Sequence, residues 1–204
     1  MKRFTITECK IVKRLDNKIM NQIKLRSSRL ELISGNLDHI KAEINDRDEF
    51  SRLLNAEVPS NWPPPLNDKQ SQNYFLKYAE ENPETKGFSF WYIILPEGGA
   101  RLLIGGIGFK GKPADDGTIE IGYSLMEEHQ RKGYAPEAVS ALLDWAFSQN
   151  DVTRIIAETL HDGIPSQKVL LKNGFQFIGK GSEEGVIRFE LKKENYPLFL
   201  SPIQ

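Results

Sequence analysis

The chain has few residues that build cross-links or metal centres, and it lacks a hydrophobic run long enough to cross a membrane. It contains one cysteine, Cys9, and three histidines among 204 residues. A single cysteine excludes an intramolecular disulfide and a cysteine-based metal cluster, so we predict no metal site. The apolar stretches are shorter than the ~20 residues that a membrane helix needs. The basic N-terminus has no apolar core like that of a signal peptide, and we expect a cytoplasmic protein without membrane contact.

The chain also has no overall excess of charge. It has 27 basic and 28 acidic residues, which argues against a nucleic-acid-binding surface over the whole molecule. Residues 1–27 differ, because eight basic and two acidic residues give them a local charge of +6 and leave −7 on the remainder. We therefore predict a basic N-terminal extension, residues 1–27, and one domain, residues 28–204. The extension could be an added layer with an edge strand at residues 4–7, a flexible arm, or the result of a wrongly assigned start with true initiation at Met20.

Strand-like and helix-like segments are mixed along the remaining chain. The predicted strands cover residues 29–34, 88–95, 101–110, 118–125, 154–160, 175–180 and 185–191. The predicted helices cover residues 37–54 (as one or two helices), 68–81, 136–147 and 165–173. A helix that joins the strands at 118–125 and 154–160 predicts that these two strands are parallel. The order of elements predicts a mixed α/β domain.

The most informative segment is Gln130-Arg131-Lys132-Gly133-Tyr134-Ala135, which lies between a predicted strand and a predicted helix. A glycine turn before a helix presents unpaired backbone N–H groups and the positive end of the helix dipole, which suits a phosphate or diphosphate. Without a Cβ, Gly133 allows an anion to come close to the backbone. The alternative is an ordinary basic connection, because the partner glycines of a P-loop or a dinucleotide-binding motif are missing.

Three motifs, which follow one another along the chain between residues 120 and 175, resemble the GCN5-related N-acetyltransferase (GNAT) family. Gln-x-x-Gly-x-Ala at 130–135 is similar to the cofactor loop of that family, and Glu-Ile-Gly-Tyr-Ser-Leu at 120–125 is similar to its preceding strand. Residues 166–175 are similar to its last helix and the Asn-Gly-Phe that follows. The branch most similar is that of the ribosomal-protein serine/alanine N-acetyltransferases. The resemblance implies a twisted, mostly antiparallel sheet with one parallel strand pair, flanked by helices, and acetyl-CoA as co-substrate.

The resemblance also implies which residues bind the cofactor. In the family, the strand before the loop pairs with the pantetheine arm, and its backbone N–H groups polarise the thioester carbonyl. The side chains of Arg131 and Lys132 would add positive charge near the phosphates, or they form a solvated basic turn. The implied cofactor-binding positions are Leu125, Met126, Gln130, Arg131, Lys132, Gly133, Tyr134 and Ala135.

Two side chains are candidate catalytic groups by the same resemblance. Glu120 occupies the position of a glutamate that acts as a base through water, although it could be an exposed strand residue with a cross-strand partner, and many relatives need no base. Ser166 occupies the position of the acid that protonates the departing thiolate, or it stabilises the start of its helix. The tyrosine that some relatives use as this acid is Leu170 here. Gly163 replaces a common cofactor-binding asparagine, and His161 could partly substitute for it.

Two aromatic residues are candidates for binding the acceptor. We expect Tyr123 to lie on the same strand face as Glu120, where it would line an acceptor tunnel or pack as an ordinary aromatic residue. Trp62 lies among the prolines of residues 59–65, in the segment that covers the acceptor in relatives.

Three functions are compatible with these features. The first is acetyl transfer from acetyl-CoA to a primary amine, either a protein N-terminus or a small molecule, by a monomer or homodimer. The second is a non-catalytic module that binds acyl-CoA or regulates another protein. The third, which we consider unlikely, is nucleic-acid association through the basic extension. The sequence does not identify the acceptor.

Overall fold

The computed structural model describes residues 22–65 and 67–197, which form one eight-stranded sheet flanked by helices. The strands are β1 (Lys24–Arg26), β2 (Glu31–Ser34), β3 (Phe90–Glu97), β4 (Ala100–Phe109), β5 (Thr118–Leu125), β6 (Arg154–Leu160), β7 (Gln176–Lys180) and β8 (Val186–Lys192). Their order across the sheet is β1-β2-β3-β4-β5-β6-β8-β7. The helices are α1 (Leu37–Asn45), α2 (Arg47–Leu54), α3 (Lys69–Glu81), α4 (Tyr134–Ser148) and α5 (Ile164–Lys172), with short 3-10 helices at Glu127–His129 and Lys193–Asn195.

The predicted fold class is confirmed. β5 and β6 are parallel, and every other neighbouring strand pair in the described sheet is antiparallel. β1 lies inside the predicted N-terminal extension, yet it pairs with β2 at the edge of the sheet. Residues 24–26 are therefore part of the sheet. The proposed strand at residues 4–7 lies outside the described residues, and the division of the chain at residue 27 stays a prediction.

The sheet separates two hydrophobic cores because β3 is buried on both faces. Trp91 and Ile93 point to the larger core, which includes the apolar face of α4 and Leu170 of α5. Tyr92 and Ile94 point to the smaller core, which side chains of α1, α2 and α3 cover. Each face of the sheet therefore has its own set of helices. Within the described ranges, none of the helices has both the length and the apolar character needed to cross a bilayer.

The parallel strands β5 and β6 diverge soon after they meet. Residues 118–120 pair with residues 154–156, but β5 continues to Leu125 and β6 to Leu160 without further pairing between them. A gap therefore opens between the carboxyl-terminal ends of the two strands. We call it the β5–β6 gap. Brief parallel pairing followed by divergence leaves main-chain polar groups along its edges without sheet partners.

The hydrogen-bond register of β4 and β5 indicates which main-chain groups face this gap. The Lys110 N–H donates to the Glu120 carbonyl (3.0 Å), and the Met126 N–H donates to the Ile104 carbonyl (2.9 Å). Even-numbered residues of β5 are thus bonded to β4. Because the pairing alternates, odd-numbered residues of β5 face β6. The Ile121 N–H is used in the parallel pairing that ends at Glu120 and Ile156, so the main-chain groups that point to the gap are those of Tyr123 and Leu125.

Candidate active site

The loop at residues 130–135 joins the end of β5 to α4 beside the β5–β6 gap. The Gln130 N–H donates to the Glu127 carbonyl (3.1 Å), and its side-chain amide donates to the Leu125 carbonyl (3.1 Å). Arg131 and Gly133 have left-handed conformations with φ of 60° and 81°. Glycine adopts this conformation without a steric penalty, whereas arginine rarely does. These contacts and turns fix the shape of the loop next to the strand end.

The N-terminus of α4 differs from those of the first three helices. The side chains of Asn36, Asp46 and Asp68 accept hydrogen bonds from the first-turn N–H groups of α1, α2 and α3. The N-cap of α4 is Gly133, which has no side chain to do this. In the described part of the chain, no acceptor is found for the N–H groups of residues 131–135. These donors are free to bind an anion.

Two residues that no local sequence pattern indicates, Arg29 and Glu137, hold this loop. Glu137 lies in the first turn of α4 and accepts hydrogen bonds from the Ser27 hydroxyl (2.8 Å) and the Arg29 main-chain N–H (2.7 Å). The Arg29 guanidinium forms an ion pair with the same carboxylate (2.6 Å). Partial burial alone would raise the pKa of Glu137, but these hydrogen bonds and the Arg29 charge outweigh it and lower the pKa.

The two predicted cofactor positions at the end of β5 have different main-chain roles. The Leu125 N–H points to the β5–β6 gap by the pairing register, so it can reach a ligand there. The Met126 N–H is already donated to Ile104. The expectation that both N–H groups polarise a ligand carbonyl is therefore wrong for Met126.

A pair of hydroxyl groups connects β5 to α5 across the gap. The Tyr123 hydroxyl lies 3.0 Å from the Ser166 Oγ and donates to the Ser166 carbonyl (3.1 Å). Burial raises the pKa of Tyr123 to about 12, although the Ser166 hydrogen bond opposes this shift. The phenol is therefore protonated at neutral pH and can donate a hydrogen bond. The alternative role of Ser166, as a cap of its own helix, has no support because α5 has no side-chain cap.

Tyr123 and Glu120 lie on opposite faces of β5, so the expectation that they share a face is wrong. They are three residues apart, and side chains alternate with a period of two along a strand. Tyr123 packs with Ile119 and Ile121 against the larger core below α4. Glu120 and Gly122 belong to the other face, on the side of α1, α2 and α3.

Glu120 has a cross-strand partner, as expected for the alternative to a catalytic role. Its carboxylate forms an ion pair with the Lys110 ammonium, and the Tyr74 hydroxyl donates to the Lys110 carbonyl (3.2 Å). Beside Glu120, a Cβ added to Gly122 would meet no atom within 4 Å. The carboxylate thus borders open space above the strand. Its role as a base stays a prediction.

Trp62 is anchored to α1 through a half-buried carboxylate. Its indole N–H donates to Glu43 (3.0 Å), and its ring lies 6.2 Å from that of Phe50. Burial raises the pKa of Glu43, and hydrogen bonds from four side chains oppose this shift. The four donors are Tyr92, Gln72, Trp62 and Asn67. Trp62 is therefore held against the smaller core, on the face opposite Tyr123, and acceptor binding by Trp62 stays a prediction.

The turn before α5 explains why glycine occupies position 163. A Cβ added there would lie 2.6 Å from the Thr159 Oγ1 and 3.0 Å from the Leu160 carbonyl oxygen. An asparagine at Gly163 would need this turn to move. His161 is exposed, and its main-chain N–H donates to the Gly185 carbonyl (2.8 Å). A role of His161 in place of the asparagine stays a prediction.

His129 lies near the loop and has unused hydrogen-bonding capacity among the described residues. Its side chain is buried, its ring lies 6.4 Å from that of Tyr134, and its Nδ1 has no partner among the described residues. Burial lowers the pKa of His129 and favours the neutral ring. None of the described side chains form a group of three or more His, Cys, Asp or Glu residues that could bind a metal ion.

Comparison with known proteins identifies the family. The sequence profile of the acetyltransferase (GNAT) domain matches residues 36–176. The chain belongs to the GNAT family. It is 34% identical over 161 residues to the uncharacterized N-acetyltransferase YjdG of Bacillus subtilis, which covers 79% of this chain and 94% of YjdG. It is 31% identical over 117 residues to the ribosomal-protein-serine acetyltransferase of Escherichia coli, covering 56% and 62% of the two chains.

The fold comparison agrees with this membership. The structure of Mycobacterium smegmatis RimJ in complex with CoA-disulfide has a TM-score of 0.58 and 17% identity, with 86% of this chain and 88% of RimJ covered. At this identity the likeness establishes a common fold. The family and the GNAT-like sheet predicted from the three motifs are confirmed, and the enzyme class is that of the acyltransferases.

Proposed function

We propose that this GNAT protein is an acetyl-CoA-dependent N-acetyltransferase that acts on a primary amine of a protein N-terminus or a small molecule. The observation that carries the proposal is the run of N–H groups at residues 131–135, which have no acceptor among the described residues and lie beside the open edge of β5. Such donors at a helix N-terminus bind phosphate groups. RimJ, which shares the fold, has been solved with a coenzyme A disulfide.

Coenzyme A fits the residues present in two respects. The N–H groups of residues 131–135 would hold its diphosphate, with the charges of Arg131 and Lys132 close by. The gap-facing main-chain groups of Tyr123 and Leu125 would hold the amides of pantetheine, as an added strand does at a sheet edge. Bound acetyl-CoA supplies a thioester, which activates the acetyl group for transfer.

The chain's own residues would stabilise the developing charges. The Leu125 N–H would donate to the acyl oxygen, a contact that strengthens as negative charge develops there. Ser166, hydrogen-bonded to the neutral Tyr123 phenol, would deliver a proton to the departing sulfur. Tyr123 is thus assigned to the donor side of the reaction instead of the acceptor tunnel.

Glu120 would receive the amine proton through water. The support for this role is its position beside the open space above Gly122. The Lys110 ammonium already pairs with this carboxylate, so it competes with the amine and its water for the same oxygen atoms. This ion pair is also the observation that favours the second candidate, a module that binds acyl-CoA without transferring it.

A thermal titration followed by an acceptor panel tests the proposal. Coenzyme A at 100 times its Kd should stabilise the folded chain by about 2.7 kcal/mol and raise Tm. Acetyl-CoA with a panel of peptide N-termini, polyamines and other amines should then release free thiol. Binding without thiol release would favour the non-catalytic module. No Tm shift at millimolar coenzyme A would contradict both functions.

A further inference from the structure

Arg29 joins the turn between β1 and β2 to the loop that begins α4. Its Nε donates to the Glu137 Oε2 (2.7 Å), and its Nη1 donates to the Lys132 carbonyl (3.0 Å). The guanidinium carbon lies 4.6 Å from the centroid of the Tyr134 ring. A Cβ added to Gly133 would lie 3.3 Å from the Arg29 Nη2. One side chain therefore contacts Lys132, Tyr134 and the first turn of the helix, and it lies beside Gly133.

These contacts leave part of the guanidinium available. Within the described part of the chain, bonds to Glu137 and Lys132 use three of the five N–H groups that an arginine carries. The Arg29 side chain is 45% exposed, so its remaining N–H groups can reach a ligand at the surface. A planar guanidinium can bind a carboxylate and still present donors to a phosphate.

Glu137 creates an electrostatic problem that Arg29 can solve. A carboxylate in the first turn stabilises a helix N-terminus, but it also repels an anion bound there. The Arg29 guanidinium pairs with this carboxylate at 2.6 Å and offsets its negative charge. The same guanidinium also binds the Lys132 carbonyl oxygen, which carries a partial negative charge.

We propose that Arg29 is a positioning residue for the diphosphate of the acyl donor: it fixes the shape of the loop at residues 131–134 and cancels the negative charge of Glu137. The inference rests on the proposed function, since it concerns the same site. It assigns to the β1–β2 turn a part in selecting donors that carry a diphosphate over those that carry pantetheine alone.

The test compares two ligands on four proteins: wild type, Arg29→Ala, Arg29→Lys and Arg26→Ala. Arg26 is a matched control, because it lies in the same segment, pairs with Glu31 (3.2 Å) and has a side chain that is 81% exposed. The Kd of coenzyme A is measured by calorimetry, and the Kd of pantetheine, which lacks the diphosphate, by NMR titration. Thermal melting checks that each variant is folded.

Arg29→Ala should raise the Kd of coenzyme A about 10-fold, as expected for loss of a charge-assisted contact, and leave the Kd of pantetheine unchanged. Arg29→Lys should recover part of the loss, because lysine restores the charge but not the planar pair of donors. Arg26→Ala should bind both ligands like wild type. Wild-type affinity of Arg29→Ala for coenzyme A, or an equal loss for both ligands, would overturn the inference.

The same measurements separate this inference from the proposed function. If wild type binds coenzyme A no better than pantetheine, the diphosphate site itself fails. If wild type prefers coenzyme A and Arg29→Ala keeps that preference, only the role of Arg29 fails.

A double variant tests the cancellation of charge. Arg29→Ala combined with Glu137→Gln removes both charges, so it should bind coenzyme A more tightly than Arg29→Ala alone. A double variant no better than the single one would overturn the charge-cancelling part of the proposal.

Discussion

The two faces of β5 satisfy their polar groups in different ways. Next to the loop at residues 131–135, the donors are main-chain N–H groups, and none of them has an acceptor within the described chain. On the opposite side of the sheet, the polar groups are side chains that already have partners: Glu120 of β5 with Lys110, and Glu43 of α1 with four donors. We call these sides the donor face and the acceptor face, after the ligands that the proposed function assigns to them.

Under the proposed function, this difference divides specificity between the two faces. Main-chain donors do not depend on the local side chains, so a donor face built from them tolerates substitution of those side chains. An acceptor face built from paired side chains can change by substitution. A ligand there must also exchange partners with groups such as Lys110, which makes recognition more selective.

The largest expected effect is on turnover, from Tyr123→Phe. It removes the hydroxyl that positions Ser166, so the serine can no longer deliver its proton and kcat should fall about 100-fold, the usual scale for proton transfer by a positioned side chain. Tyr196→Phe is a matched control, because it also removes a partly buried phenol hydroxyl, which donates to Asp144 (2.9 Å) far from the gap. Steady-state thiol release measures both. Equal kcat values for the two variants would contradict the role of the hydroxyl pair.

The next effect isolates the donor face. Gly133→Ala adds a Cβ at a left-handed residue close to Arg29, so it should raise the Kd of coenzyme A about 30-fold through weakened charge-assisted hydrogen bonds. Gly99→Ala has a similar positive φ of 86° but meets no atom within 4 Å, so it controls for backbone strain. Calorimetry should find wild-type affinity in the control. An equal loss of affinity in both variants would mean that backbone strain on the fold causes the effect, and not the Cβ beside Arg29.

A substitution on the acceptor face should weaken amine binding and leave coenzyme A binding intact. Gly122→Val puts a side chain into open space on a strand, so the fold should tolerate it. It should raise the KM of the amine about 10-fold by filling the space above Gly122, while the Kd of coenzyme A stays unchanged. Kinetics with the best amine of the panel measure the first, and calorimetry the second. Weaker coenzyme A binding would show that the two faces are not independent.

Local patterns made most of the fold predictable from the sequence. The loop at 130–135 and the helix after it follow from neighbouring residues. The end of α5 does too, because Gly174 with φ of 85° and the bond from the Phe175 N–H to the Leu170 carbonyl (3.1 Å) form a helix-ending motif. Such features depend on residues a few positions apart.

Contacts between distant segments were not predictable in this way. Arg29 and Glu137 are separated by 108 positions, and no local pattern connects them. The bond that occupies the Met126 N–H depends on the register of β4 with β5, which is a property of the assembled sheet. The face of β5 on which Tyr123 lies could be predicted from the sequence. Side chains alternate along a strand with a period of two, so residues 120 and 123 must lie on opposite faces.

The smallest expected effect concerns the half-buried Glu43 carboxylate on the acceptor face. Burial raises the pKa of Glu43, so the folded state favours its protonated form, and stability decreases as pH rises from the unfolded pKa through the folded one. Glu43→Gln keeps a carbonyl acceptor and has no charge to bury. It should raise Tm at pH 7 by about 2 °C, on the scale of one hydrogen bond in a domain of this size, and lose this advantage at pH 4. Melting curves at both pH values provide the measurement. A lower Tm than wild type at pH 7 would mean that Trp62, Tyr92 and their neighbours require the ionised acceptor, and that the charge on this face stabilises the fold.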